Sequence, residues 1–154
     1  MTQTRLLVDT AATEALGAAL ARTFATRSGG VIFLHGDLGA GKTTLARGLL
    51  RALGVQGAVR SPTYTLIEPY ELPAVRVVHM DLYRLADAEE WWALGLDSYP
   101  PESAFWLVEW PQRAQGVLPP SQLDVFLTVD GAHRQVCIRG DAQWQRQIWQ
   151  YFDV

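Results

Sequence analysis

The run Gly36-Asp-Leu-Gly-Ala-Gly41-Lys42-Thr43 satisfies the pattern G-x-x-x-x-G-K-[ST], and it dictates the local fold around it. Such a loop works only between a buried strand and the start of a helix. Both flanks are present. Val31-Ile32-Phe33-Leu34 is an apolar run with strand character, and beyond the loop Leu45, Ala46, Leu49, Leu50 and Leu53 recur at helical spacing. The glycines let backbone N–H groups curl around an anion, and the helix start adds the positive end of its dipole. In that setting Lys42 reaches the β- and γ-phosphates of a nucleotide, and the Thr43 hydroxyl holds Mg²⁺. A plain Gly-rich turn would need neither the Lys nor the Thr.

The remaining sequence supplies a sheet for this loop. Arg5–Val8 read as a short strand, and Asp9 or Thr10 can cap a helix whose stripe is Ala12, Leu16, Leu20 and Phe24. Gly54 stops the loop helix. Residues 63–70 are β-branched and aromatic and read as a strand broken by Pro73. Val75–Met80 and Ala104–Val108 are further apolar strands, with a helix expected over Ala86–Leu96 between them. Leu123–Val129 and Gln135–Arg139 alternate around Asp130-Gly131, a hairpin signal. Trp144, Ile148 and Phe152 fall four apart, so a final helix is expected over 141–152. The pattern predicts an α/β, P-loop NTPase-like three-layer fold with a mostly parallel central sheet and antiparallel additions, including the late hairpin. With 154 residues and no strong linker, residues 1–154 are read as a single domain.

A phosphate loop needs carboxylates on neighbouring strands to manage the metal and the attacking water. Two strands end in one: Val77-Val78-His79-Met80-Asp81 and Phe105-Trp106-Leu107-Val108-Glu109. Ligands of open α/β sheets bind at the carboxyl ends of parallel strands, so Asp81 and Glu109 should both converge on the loop. Which of them lies closer to the metal is left open. Arg60-Ser61-Pro62-Thr63-Tyr64-Thr65 falls where many such proteins carry a γ-phosphate-sensing switch. His35, His79 and Cys137 read as packed residues. The pairs Trp91-Trp92 and Trp144/Trp149 suit either core or interface.

Several classes are disfavoured. No Asn/Thr-Lys-x-Asp run reads guanine, and Leu-Tyr-Arg rather than x-x-Gly follows Asp81, so ATP is favoured over GTP. Residues 82–103 hold Arg84 as their only basic side chain, which argues against the Arg-rich lid of a small-molecule kinase. The net charge of −3 argues against an autonomous nucleic-acid binder. One cysteine, no signal-peptide pattern and no long apolar run point to the cytoplasm and away from a membrane.

Four runs carry a closer likeness: Gly-Asp-Leu-Gly-Ala-Gly-Lys-Thr-Thr at 36–44, Ser-Pro-Thr-Tyr-Thr-Leu at 61–66, His-Met-Asp-Leu-Tyr-Arg-Leu at 79–85 and Leu-Val-Glu-Trp-Pro at 107–111. In that order they resemble the bacterial TsaE (YjeE) family of small ATPases, over roughly residues 5–140. The resemblance implies ATP and Mg²⁺ as ligands, and TsaB and TsaD as partners in making threonylcarbamoyladenosine at position 37 of tRNAs that read codons beginning with A. ATP hydrolysis would reset or license that complex, with the group transfer left to TsaD. Contact of this chain with tRNA itself is left open. Carried over by position, Gly39, Ala40, Gly41, Lys42, Thr43 and Thr44 would wrap the triphosphate. Thr43 and Glu109 would be the metal ligands, and Asp81 would act through the metal shell or orient water. Trp110 would shape the site, and Thr10 and Arg134 would touch the nucleotide. A small-molecule kinase and a nucleotide-dependent binding module are the alternatives.

Overall fold

The computed structural model describes residues 2–153. Seven strands form one sheet in the order β1-β7-β6-β2-β5-β4-β3. They are β1 (Thr2–Leu7), β2 (Gly30–His35), β3 (Ile67–Glu71), β4 (Arg76–Asp81), β5 (Phe105–Glu109), β6 (Leu123–Asp130) and β7 (His133–Gly140). The four central strands β6, β2, β5 and β4 run parallel. Antiparallel strands complete both edges, β7 and β1 on one side and β3 on the other. The mostly parallel sheet with a late hairpin is the architecture expected from the sequence.

Four helices cover the sheet: α1 (Thr10–Thr23), α2 (Lys42–Ala52), α3 (Ala88–Trp92) and α4 (Ala142–Phe152). Strand alternation divides the apolar residues between two cores. Ile32, Leu34, Phe105 and Leu107 face α1, α2 and α4, while Val31, Trp106 and Val108 face the α3 side. Asp9 caps α1, its Oδ1 accepting the Ala12 N–H at 2.8 Å. Asp141 caps α4 in the same way, accepting from Gln143 and Trp144. The α4 tryptophans belong to the core: Trp144 packs edge-on against Phe24 and Phe105, which stack at 3.8 Å. Trp91 is likewise buried, whereas its neighbour Trp92 is exposed.

Helices α1 and α2 meet backbone to backbone. A Cβ on Gly17 would lie 2.2 Å from the Leu45 carbonyl oxygen, and one on Gly48 would lie 2.3 Å from that of Glu14. No larger residue fits at either position.

The strand read over Arg5–Val8 runs over Thr2–Leu7, and two further expected elements differ more. The strand read over residues 63–70 begins only at Ile67, because residues 63–65 form a turn closed by the Leu66 N–H donating to the Pro62 carbonyl at 2.9 Å. Leu66 takes a left-handed φ of 69° there. The helix read over Ala86–Leu96 shrinks to Ala88–Trp92, capped by Asp87. Gly95, at φ 76°, starts a separate 3-10 turn over Leu96–Ser98. Both segments follow tertiary contacts over intrinsic propensity.

Candidate nucleotide site

Strand β2 ends at His35, whose ring stacks on Phe126 and donates from Nε2 to Asp124 at 2.9 Å. That packing fixes the take-off of the loop. Gly36 then turns with φ 151°, where a Cβ would strike the Leu127 carbonyl oxygen at 2.7 Å. Gly41, at φ 110°, opens α2 and aims its first amides into a cleft.

The cleft encloses about 340 Å³. The loop contributes Gly39, Gly41, Lys42, Thr43 and Thr44, and the strand ends contribute Asp81, Glu109 and Trp110. Thr10 lies on the α1 side and Arg134 on the hairpin side. Ten of the eleven residues singled out by sequence therefore line the same cleft. The eleventh, Ala40, is buried beneath the loop, and its N–H is already donated to the Asp37 carbonyl at 3.0 Å. Ser61 and Thr63 also line the cleft, their hydroxyls paired at 2.8 Å, so the suspected switch segment borders the site. Arg60 is not part of the wall.

Lys42 is 5% exposed. Its Nζ donates to the Gly36 carbonyl at 2.5 Å and lies 3.8 Å from the Trp110 ring centroid. Burial pulls the ammonium below its usual range, while Glu109, Asp81 and Asp37 pull it back up. Trp110 holds a left-handed φ of 57°, and its ring also rests on Tyr83 at 4.8 Å. Such backbone strain persists only where the surroundings impose it. Here the strain turns the indole over Lys42.

Asp81 and Glu109 sit opposite one another in the β4–β5 register. Burial is the main reason that the Asp81 carboxyl is pushed up. Its bond from the Tyr83 N–H lowers it, the Glu109 charge raises it again, and His79 and Lys42 oppose that. Glu109 Oε2 accepts from His79 Nε2 at 2.6 Å. Its two carboxylate oxygens lie 3.5 and 3.4 Å from the Thr43 hydroxyl. That spacing is long for a hydrogen bond and suits two oxygens that face a shared cation. Among the described residues no group of three or more His, Cys, Asp or Glu could hold a metal alone. Glu109 and Thr43 are the pair that could share a cation here, with further oxygens supplied from outside the chain. His79 was read from sequence as a packed residue. It is packed, but it also holds a site carboxylate. Its only signal was its position two residues before Asp81, on the same strand face.

The family model described as "Threonylcarbamoyl adenosine biosynthesis protein TsaE" matches residues 7–136. The chain belongs to the TsaE family. A tRNA threonylcarbamoyladenosine biosynthesis protein TsaE from Haemophilus influenzae is 47% identical over 100 residues, covering 65% of this chain and 62% of that one. The corresponding TsaE of Bacillus subtilis is 41% identical over 101 residues, covering 66% of this chain and 63% of that one. The matched part thus spans less than two thirds of these two relatives. The crystal structure of Bacillus subtilis YdiB superposes with a TM-score of 0.77 at 27% identity, covering 98% of this chain and 94% of that one. The fold of that protein is therefore shared almost end to end.

Proposed function

We propose that this chain is a Mg²⁺-dependent ATPase that acts with TsaB and TsaD in threonylcarbamoyladenosine modification of tRNA. The carrying observation is that Lys42, Thr43, Asp81 and Glu109 line one cleft in a chain of the TsaE family. The names of the relatives support the pathway. The absence of a guanine-reading run favours ATP. None of the described helices is long and apolar enough to cross a membrane, and the reading puts the protein in the cytoplasm beside its tRNA pathway.

In this reading the α2 amides bind the phosphates, with Gly39, Gly41 and Thr44 closing around them. Lys42 exchanges the Gly36 carbonyl for a phosphate oxygen. Thr43 and Glu109 would hold Mg²⁺, which when bound would offset negative charge on the phosphates. Asp81 orients the attacking water. Trp110 keeps bulk water from Lys42, and Thr10 and Arg134 line the rest of the nucleotide's path.

The test is ATP turnover by Lys42→Ala and Glu109→Gln, with and without TsaB and TsaD. We expect phosphate release and multi-turnover tRNA modification to fall by about a hundredfold or more in each. Unchanged turnover in both variants overturns the site. Label from the γ-phosphate appearing on a metabolite would make the protein a kinase. Repeated modification supported by a non-hydrolysable analogue would make it a binding module.

A further inference from the structure

His79 is fully buried, with none of its surface exposed. Its Nε2–H donates to Glu109 Oε2 at 2.6 Å, while its Nδ1 has no partner. A buried imidazole with one unsatisfied nitrogen is a poor way to fill a core. Val77, two residues earlier on the same face, shows what packing alone selects. The bond spans two strands diagonally: His79 pairs with Leu107 in register, and Glu109 lies two residues further along β5. Directly across from Glu109 is Asp81. Two carboxylates placed side by side repel, and nothing in the strand register prevents the Glu109 side chain from swinging away. The His79 bond ties down Oε2. Oε1 keeps only the 3.5 Å approach of the Thr43 hydroxyl, which lies 3.4 Å from Oε2 as well.

We propose that His79 is the positioning residue of Glu109: it ties one carboxylate oxygen to the floor of the cleft and presents the other, beside Thr43, to the cation of a bound nucleotide. The proposal rests on Glu109 being the metal-binding carboxylate. Removal of such an outer partner characteristically weakens metal affinity by about 10–100-fold without touching the metal.

The decisive comparison is between His79→Leu, which has no donor, and His79→Gln, whose amide nitrogen can take the place of Nε2. The first readout is calorimetric binding of ADP with Mg²⁺ and with chelator. The second is the Mg²⁺ concentration that half-saturates ATP turnover. Melting temperature reports folding. We expect His79→Leu to bind metal-free ADP as the unsubstituted protein does, to lose about tenfold in the Mg²⁺-dependent part of binding, and to need about tenfold more Mg²⁺ for turnover. His79→Gln should recover most of both. If His79→Leu does not fold, His79→Asn replaces it, because its shorter amide cannot reach Glu109.

Unchanged Mg²⁺ dependence in the donor-less variant overturns the proposal. So does equal damage to metal-free binding and to melting, which would make His79 merely structural. Glu109→Gln separates the two levels. If it leaves Mg²⁺ dependence intact, the metal assignment fails. If it abolishes that dependence and His79→Leu does not, only the positioning role fails. The double variant should be no worse than Glu109→Gln alone.

Discussion

Asp81 and Glu109 stand side by side at the ends of two paired strands, 8% and 2% exposed. Before any cation arrives, that pairing works against the fold. The raised Asp81 carboxyl fixes the sign: its stabilising contribution is fully present below the unfolded-state value and is lost as pH rises through the folded-state one. As pH rises from the acid range towards the folded-state value, Asp81 therefore weakens the nucleotide-free protein. Asp81→Asn should melt above the parent at pH 7, and the gap should close as pH falls towards about 4. ATP turnover should drop by about a hundredfold in the same variant. Melting curves across that pH range, paired with phosphate release, check both halves. Equal melting at pH 7 would contradict the sign. Lys42, Thr43, Asp81 and Glu109 were legible because their chemistry is written at strand ends and inside one contiguous loop. His79 was not, since it sits in an apolar strand and its partner is 30 residues away.

At the level of elements, the loop helix depends on its neighbour. Gly17 of α1 and Gly48 of α2 let the two backbones touch. Gly17→Ala or Gly48→Ala forces a methyl into a carbonyl oxygen, and each should cost roughly 3 kcal/mol. Urea denaturation measures this, and a change below about 0.5 kcal/mol would mean that the helices can separate without penalty. The sequence announced both helices through their apolar stripes, but not their contact, because a glycine inside a helix carries no label for what it faces. The turn at residues 63–65 and the short α3 were misread for a related reason. Propensity favoured strand and helix, while the Pro62–Leu66 bond and left-handed Gly95 set the backbone.

Across the whole molecule, α4 seals the core face that α1 and α2 leave open. Trp144, Ile148 and Trp149 are each at most 5% exposed, so Trp144→Ala should destabilise by about 3–5 kcal/mol. Denaturation should report that loss, while any folded fraction keeps its affinity for nucleotide, since α4 contributes nothing to the cleft wall. A selective loss of nucleotide affinity in a stably folded variant would contradict this division. The alternation of strands and helices made the layered sheet legible from sequence. The strand order was not, because β2 takes β5 and β6 as neighbours across more than 70 residues of chain.

The touching peptide planes of α1 and α2 also limit how the protein can move. At Gly17 and Gly48 no side chain stands between the backbones and nothing can be repacked there, so the two helices are expected to shift together. Thr10 and Thr13 sit on one of these helices, Lys42, Thr43 and Thr44 on the other, and all five face the cleft. The helix pair is therefore a caliper with a locked gap, and a ligand must match its span. Opening and closing of the cleft is then expected of Ser61 and Thr63, which line it from outside the helix pair.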